Sequence, residues 1–114
     1  MSVIRITLEN NDQFGEPVTL GSATDPTPQA RIAANLELND GRGSTGIWEC
    51  TPGRFRRQVA QAEYSYIVSG AGSFTPNGAE PVHFSAGDAL YFEANSQGTW
   101  DILETVRKTY LILN

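Results

Sequence analysis

Few residues in this chain of 114 could do chemistry. One carboxylate, Glu63, opens the alternating run Glu-Tyr-Ser-Tyr-Ile-Val over residues 63–68, and Arg54, Arg56, Arg57 and Lys108 are the cations available to answer it. If Glu63 is buried it must be paired or protonated, since an isolated buried charge costs on the order of several kcal/mol. Such a cluster reads in two ways: as a binding site for a small anionic or amide ligand, or as a satisfied structural ion pair. Lys108 also has two readings. Pointed inward, it holds a ligand carboxylate or acts as a base of lowered pKa; pointed outward, it is a solvated edge charge that opposes aggregation. Trp48 and Trp100 each bring a flat apolar wall and one N–H donor, suited to sandwich a planar ligand or to pack a core. Tyr64, Tyr66, Tyr91 and Tyr110 alternate along apolar runs. Tyr66 and Tyr110 are the two expected to aim hydroxyls inward, although a slip of one residue flips the face. Cys50 has no histidine near it in sequence to activate it and reads as an inert buried thiol. His83 sits on a short run after Pro81 and reads as a lone edge histidine.

Composition removes several function classes. The formal net charge is −5, from 8 Lys+Arg against 13 Asp+Glu, which argues against a basic nucleic-acid face and against a polybasic lipid anchor. No run of about 18 apolar residues is present to span a membrane. The start, Met1-Ser2-Val3-Ile4-Arg5, lacks the apolar core of a signal peptide, so a cytoplasmic location is expected. With a single cysteine, an internal disulfide, a zinc finger and an iron–sulfur cluster are excluded, and a single histidine excludes any multi-histidine metal site. No glycine-rich stretch opens a helix, which disfavours a nucleotide site. The length suits one domain.

The elements that must carry these residues read as strands. Residues 3–8 alternate apolar and polar with many β-branched side chains, a strand signal of period two. Residues 9–30, broken by Gly15, Pro17, Gly21, Pro26 and Pro28, read as a surface segment with a short strand near 18–20. Residues 30–38 and 45–50 read as a hairpin across Asn39-Asp40-Gly41, since Asp-Gly readily adopts the positive φ of a tight turn. Further strand-like runs follow at 54–59, 63–68, 72–75, 81–84, 89–92, 99–103 and 108–113, separated by turn chemistry such as Ser69-Gly70, Pro76-Asn77-Gly78 and Ala86-Gly87-Asp88. Eight or more short strands at this spacing predict an all-β sandwich or barrel.

Two patches carry a resemblance. Gly46-Ile-Trp-Glu-Cys-Thr-Pro-Gly-Arg-Phe leads to Glu63-Tyr-Ser-Tyr-Ile-Val-Ser-Gly70, and Ser85-Ala-Gly-Asp-Ala-Leu-Tyr-Phe92 leads to Gly98-Thr-Trp-Asp-Ile-Leu-Glu-Thr-Val-Arg-Lys108. Together these resemble the cupin superfamily, and more closely the small single-domain cupins grouped with (S)-ureidoglycine aminohydrolase. The resemblance implies an RmlC-like jelly-roll β-barrel that pairs into homodimers. It implies one cupin domain over 1–114, with N-terminal strands and a surface segment in 1–44 and the barrel in 45–114. It also implies that Glu63 faces the lumen and that Trp48 and Trp100 border it. Metal-binding cupins hold their ion with His-x-His, a glutamate and a third histidine. Here the residues before Glu63 are Arg56, Arg57, Gln58 and Val59, and the second motif runs Glu93, Asn95, Gly98 where the family has Pro, Gly and His. One carboxylate does not retain a transition metal alone, so neither metal nor cofactor is expected.

The resulting expectation is a metal-free cupin that binds a small polar or anionic metabolite. Its ligand set is Trp48, Arg54, Arg56, Gln58, Tyr66, Trp100 and Tyr110, around Glu63 and Lys108. The alternative is an enzyme, an aminohydrolase or isomerase acting on a ureide-like or amino compound. There Glu63 is general base and Lys108 or a tyrosine the acid, chemistry worth about 10²–10⁴-fold in rate. A third reading is an interaction domain whose lumen is packed solid by aromatics. No nucleic acid or membrane partner is expected.

Overall fold

The computed structural model describes residues 3–21 and 26–114. Part of the expected surface segment, residues 22–25, and the first two residues of the expected N-terminus lie outside the described residues. Among the described residues the secondary structure is β, with one short 3-10 turn. The strands are β1 (Val18–Thr19), β2 (Gln29–Glu37), β3 (Gly43–Cys50), β4 (Gly53–Val59), β5 (Ala62–Pro76), β6 (Val82–Ser85), β7 (Ala89–Phe92) and β8 (Ser96–Leu113). No helix among the described residues is long and apolar enough to cross a membrane.

All pairings are antiparallel, in the order β1-β2-β3-β8-β5-β6, with β4 added to β8 and β7 to β5. The two long strands organise the barrel. β8 pairs with β4 through its first half and with β3 through its second. β5 likewise pairs with β7 and then with β6. Each long strand thus belongs to both walls, which gives the expected jelly-roll wrapping.

The hairpin at Asn39-Asp40-Gly41 forms as the sequence predicts: Asp40 and Gly41 have φ of 62° and 66°, and β2 pairs with β3 across them. Three expectations fail. The runs at 99–103 and 108–113, expected as separate strands, are parts of one strand, β8. Residues 3–8 form no strand, and Val3 and Ile4 are 97% and 58% exposed. Alternation there lacks a neighbouring strand to bond with, and an isolated extended segment has no ladder to hold it. The Ser69-Gly70 break is not a turn either. β5 passes through it as one strand with irregular pairing to β8 between Ile67 and Gly72. Gly70, at φ +93°, is pressed against β8 so closely that a Cβ would lie 2.2 Å from the Thr105 carbonyl oxygen.

Inside, one end of the barrel is packed with rings. The Trp100 ring has Trp48, Phe55, Phe74, Phe84 and Phe92 around it, with centroids 5.2–6.4 Å away. Outside, Arg107 ties the N-terminal segment down. Its guanidinium donates to Glu49 on β3, to the Leu8 carbonyl at 3.0 Å and to the Asn11 side chain.

Candidate functional site

The site is decided by the parity of four strands. On β5, Glu63, Ser65 and Ile67 point into the barrel, being 5%, 0% and 0% exposed, while Tyr64 and Tyr66 between them face out. On β8, Val106, Lys108 and Tyr110 point in and Arg107 points out. The register Glu63↔Ile112 and Ile67↔Lys108 brings β5 and β8 side by side, so residues 45 apart in sequence meet. β3 adds Trp48 opposite Lys108. β4 adds Arg57 and Val59.

At the centre is a buried ion pair. Lys108 Nζ donates to Glu63 Oε2 at 2.6 Å, and Ser65 Oγ donates to the same oxygen at 2.9 Å. The ammonium also faces three rings, Trp48, Trp100 and Phe92, at 5.0, 5.1 and 5.7 Å from their centroids. Burial pushes the Lys108 amine below its ordinary range; the Glu63 charge and hydrogen bond oppose this, and the Arg57 charge reinforces it. Tyr110 Oη accepts from Asn35 Nδ2 at 3.1 Å, and burial raises its pKa despite that bond. Behind the pair, Cys50 is fully buried and its thiol is pushed up to about 12, chiefly by burial and partly offset by Lys108. That is the inert thiol expected.

The pair sits in a cavity of about 110 Å³. Trp48, Arg57, Glu63, Trp100, Lys108 and Tyr110 line it, with Ile32, Val59 and Ile112 supplying an aliphatic rim. Pockets that bury drug-sized ligands run to roughly 300–1,000 Å³, so this one suits a much smaller guest. Its formal charges are Arg57 and Lys108 against Glu63.

Of the expected set, Glu63, Lys108, Trp48, Trp100 and Tyr110 come together here. Arg54, Arg56, Gln58 and Tyr66 do not line this cavity. β4 presents Phe55, Arg57 and Val59 inward, so the even-numbered side chains of that strand face out. Arg54 lies 4.0 Å from Asp101, and Arg56 donates to Asn77 at 3.0 Å. Tyr66 is an odd number of residues from Glu63 on a regular stretch of strand, so when one points in the other points out; it is 41% exposed. His83 is exposed on β6. Arg57, named among the cations available to Glu63 but left out of the expected ligand set, does line the cavity, and its place was legible in the sequence: it alternates in step with Phe55 and Val59.

The donor set does not fit a metal. Arg57 and Val59 hold the inner positions where a His-x-His pair would stand. At Gly98, the third histidine position, a Cβ would lie 2.7 Å from the Phe74 ring and 2.4 Å from the Thr75 carbonyl oxygen, so core packing fills that space. Glu63 already carries an ammonium. Among the described residues, no three of His, Cys, Asp and Glu converge.

The profile of the EutQ-like cupin domain matches residues 37–110. The EutQ protein of Clostridium difficile superposes with a TM-score of 0.67 at 18% identity, over 78% of this chain and 71% of that one. A DUF861 family protein of Thermotoga maritima matches with a TM-score of 0.57 at 28% identity, over 59% of this chain and 76% of that one. The ectoine synthase of P. lautus superposes at 0.62 with 13% identity, over 83% and 67%. No curated protein sequence matches the chain. The likeness to EutQ and to the synthase is one of fold alone.

Proposed function

This chain belongs to the EutQ-like cupin domain family, and we propose that it is a metal-free member that takes a small anionic metabolite into its barrel. The observation that carries this reading is the cavity's charge inventory. Two cations, Arg57 and Lys108, border it against one carboxylate, Glu63, already engaged by Lys108. A monoanion therefore completes the balance, and Arg57, exposed at the cavity's edge with no ion-pair partner among the described residues, is the group to receive it. The Trp48 and Trp100 walls favour a planar or short-chain body.

The test is a thermal-shift series on the intact protein with short carboxylates, each beside its uncharged methyl ester. A ligand that binds only the folded state stabilises it by about 2.7 kcal/mol at a hundred times Kd, so the acids should raise Tm and the esters should not. Equal shifts from acid and ester, or none from any acid, would remove the anion site.

A second reading has one observation in its favour, the direct 2.6 Å contact between Lys108 and Glu63. A pair that shares a proton is equipped to act as both acid and base. On that reading the protein is an aminohydrolase or isomerase for a ureide-like amino compound, as relatives of (S)-ureidoglycine aminohydrolase would be. Turnover unaffected by Glu63→Gln would dismiss it.

A further inference from the structure

Eight residues of the chain are Lys or Arg, and only Lys108 is lysine. Lysine is ordinarily among the most exposed residue types, yet this one is 5% exposed. For pairing with a carboxylate, arginine is the better choice, with a planar fork and weaker hydration. What lysine alone offers is a nitrogen lone pair once its proton leaves. The site gives that proton a destination 2.6 Å away on Glu63 Oε2. The transfer exchanges two buried charges for an amine and a carboxylic acid, both better tolerated where water is excluded. The like charge of Arg57 acts in the same direction.

We propose that Lys108 is a nucleophilic amine that captures a short-chain 2-oxo acid as an imine, with Arg57 holding the substrate carboxylate. This rests on reading the cavity as an anion site, and it names the ligand class. The proton first passes from Nζ to Glu63. The Nζ lone pair then forms a C–N bond to the carbonyl carbon as the C=O π pair moves to oxygen, which takes the proton back from Glu63. The nitrogen of the resulting carbinolamine gives its extra proton to Glu63. Glu63 delivers that proton to the hydroxyl, which leaves as water while the nitrogen lone pair forms C=N. The sum is ammonium plus carbonyl giving iminium plus water, with Glu63 returned as carboxylate and no oxidant or reductant consumed. The cation that began on Nζ ends on the imine nitrogen, still facing Glu63. A cavity of about 110 Å³ restricts the guest to the smallest members of the class.

The experiment treats the whole wild-type protein with glyoxylate or pyruvate and cyanoborohydride, then maps the reduced adduct by peptide mass spectrometry. With one lysine in the sequence, the N-terminal amine is the internal control. The expected result is an adduct at Lys108 that saturates with 2-oxo acid and is suppressed by acetate or propionate, whereas labelling of the N-terminal amine neither saturates nor is suppressed. Glu63→Gln should slow its formation by about 10²-fold, the low end for a positioned proton donor. No adduct at Lys108, labelling confined to the N-terminal amine, or equal rates in Glu63→Gln would overturn the proposal. The mapping on wild type stands whether or not that variant folds. If carboxylates raise Tm but Lys108 stays unlabelled, the imine falls and the anion site survives. If a neutral aldehyde labels Lys108 as readily as the 2-oxo acids and carboxylates give no protection, the 2-oxo acid assignment and the anion site fall together.

Discussion

Replacing Lys108 by methionine isolates the charge at the heart of the site. Methionine keeps an unbranched side chain of similar length, so most packing against Trp48, Trp100 and Phe92 is retained while the ammonium disappears. Glu63 is then left 5% exposed with the Ser65 hydroxyl as its remaining partner. Removing one member of a buried pair costs about 3–5 kcal/mol, because the other charge stays desolvated and uncompensated. A domain of this size has roughly 5–15 kcal/mol in total. The variant should therefore retain a reduced margin, with Tm lowered by about 12–20 °C at some 4 °C per kcal/mol. Removing both charges, as in Lys108→Met with Glu63→Met, should recover most of the loss, since an apolar replacement of a buried pair is often neutral. Urea unfolding followed by tryptophan fluorescence reads this directly, with Trp48 and Trp100 both beside the pair. The outer pair Arg54–Asp101, 4.0 Å apart with side chains 68% and 36% exposed, is the control, and Arg54→Ala should cost less than about 1 kcal/mol. A single variant Lys108→Met within about 1 kcal/mol of wild type, or a double variant no more stable than the single, would refute the account of a strongly coupled buried pair.

Three further outcomes follow from the same geometry. Arg57→Ala should abolish the carboxylate-induced rise in Tm, while Arg56→Ala, on the outer face of β4, should leave it intact; the reverse pattern would mean the register is misread. Stability should fall as the pH climbs from 9 toward 12, because the native state keeps the Cys50 proton, with its pKa pushed from 9.0 to about 12, after the unfolded chain has lost it. Tyr110, also raised, adds to that loss above its ordinary value of 10.0, whereas Lys108, lowered from 10.5, pulls the opposite way. Cys50→Ala should flatten the alkaline limb of a Tm-against-pH curve, and an unchanged limb would discount the thiol. Gly98→Ala places a methyl 2.4 Å from the Thr75 carbonyl oxygen and 2.7 Å from the Phe74 ring, so a loss of about 1–3 kcal/mol is expected in urea midpoint; a neutral result would mean that the Phe74 side of the core yields easily.

Much of this protein follows from local pattern. Period-two alternation and turn residues mark the strands, and the Asp40-Gly41 pair closes its hairpin because those two positions tolerate positive φ. The same alternation fixes which residues share a face: Arg57 with Val59, Glu63 with Ser65, Lys108 with Tyr110. The poverty of histidine and cysteine rules out the usual cupin metal set before any fold is known. Pattern puts Arg57 on the apolar side of β4 with Phe55 and Val59, apart from Arg54, Arg56 and Gln58, but the company Arg57 keeps inside the barrel was not legible. It depends on where β8 lies beside β4, a pairing between residues far apart in the chain. Nor could pattern say that the strand-like run at 3–8 finds no partner, or that Ser69-Gly70 continues a strand, since a ladder needs two edges and a sequence shows one. The contact of Lys108 with Glu63 belongs to the tertiary structure for the same reason: each residue announces a charge, but only the closing of β5 onto β8 removes the water between them.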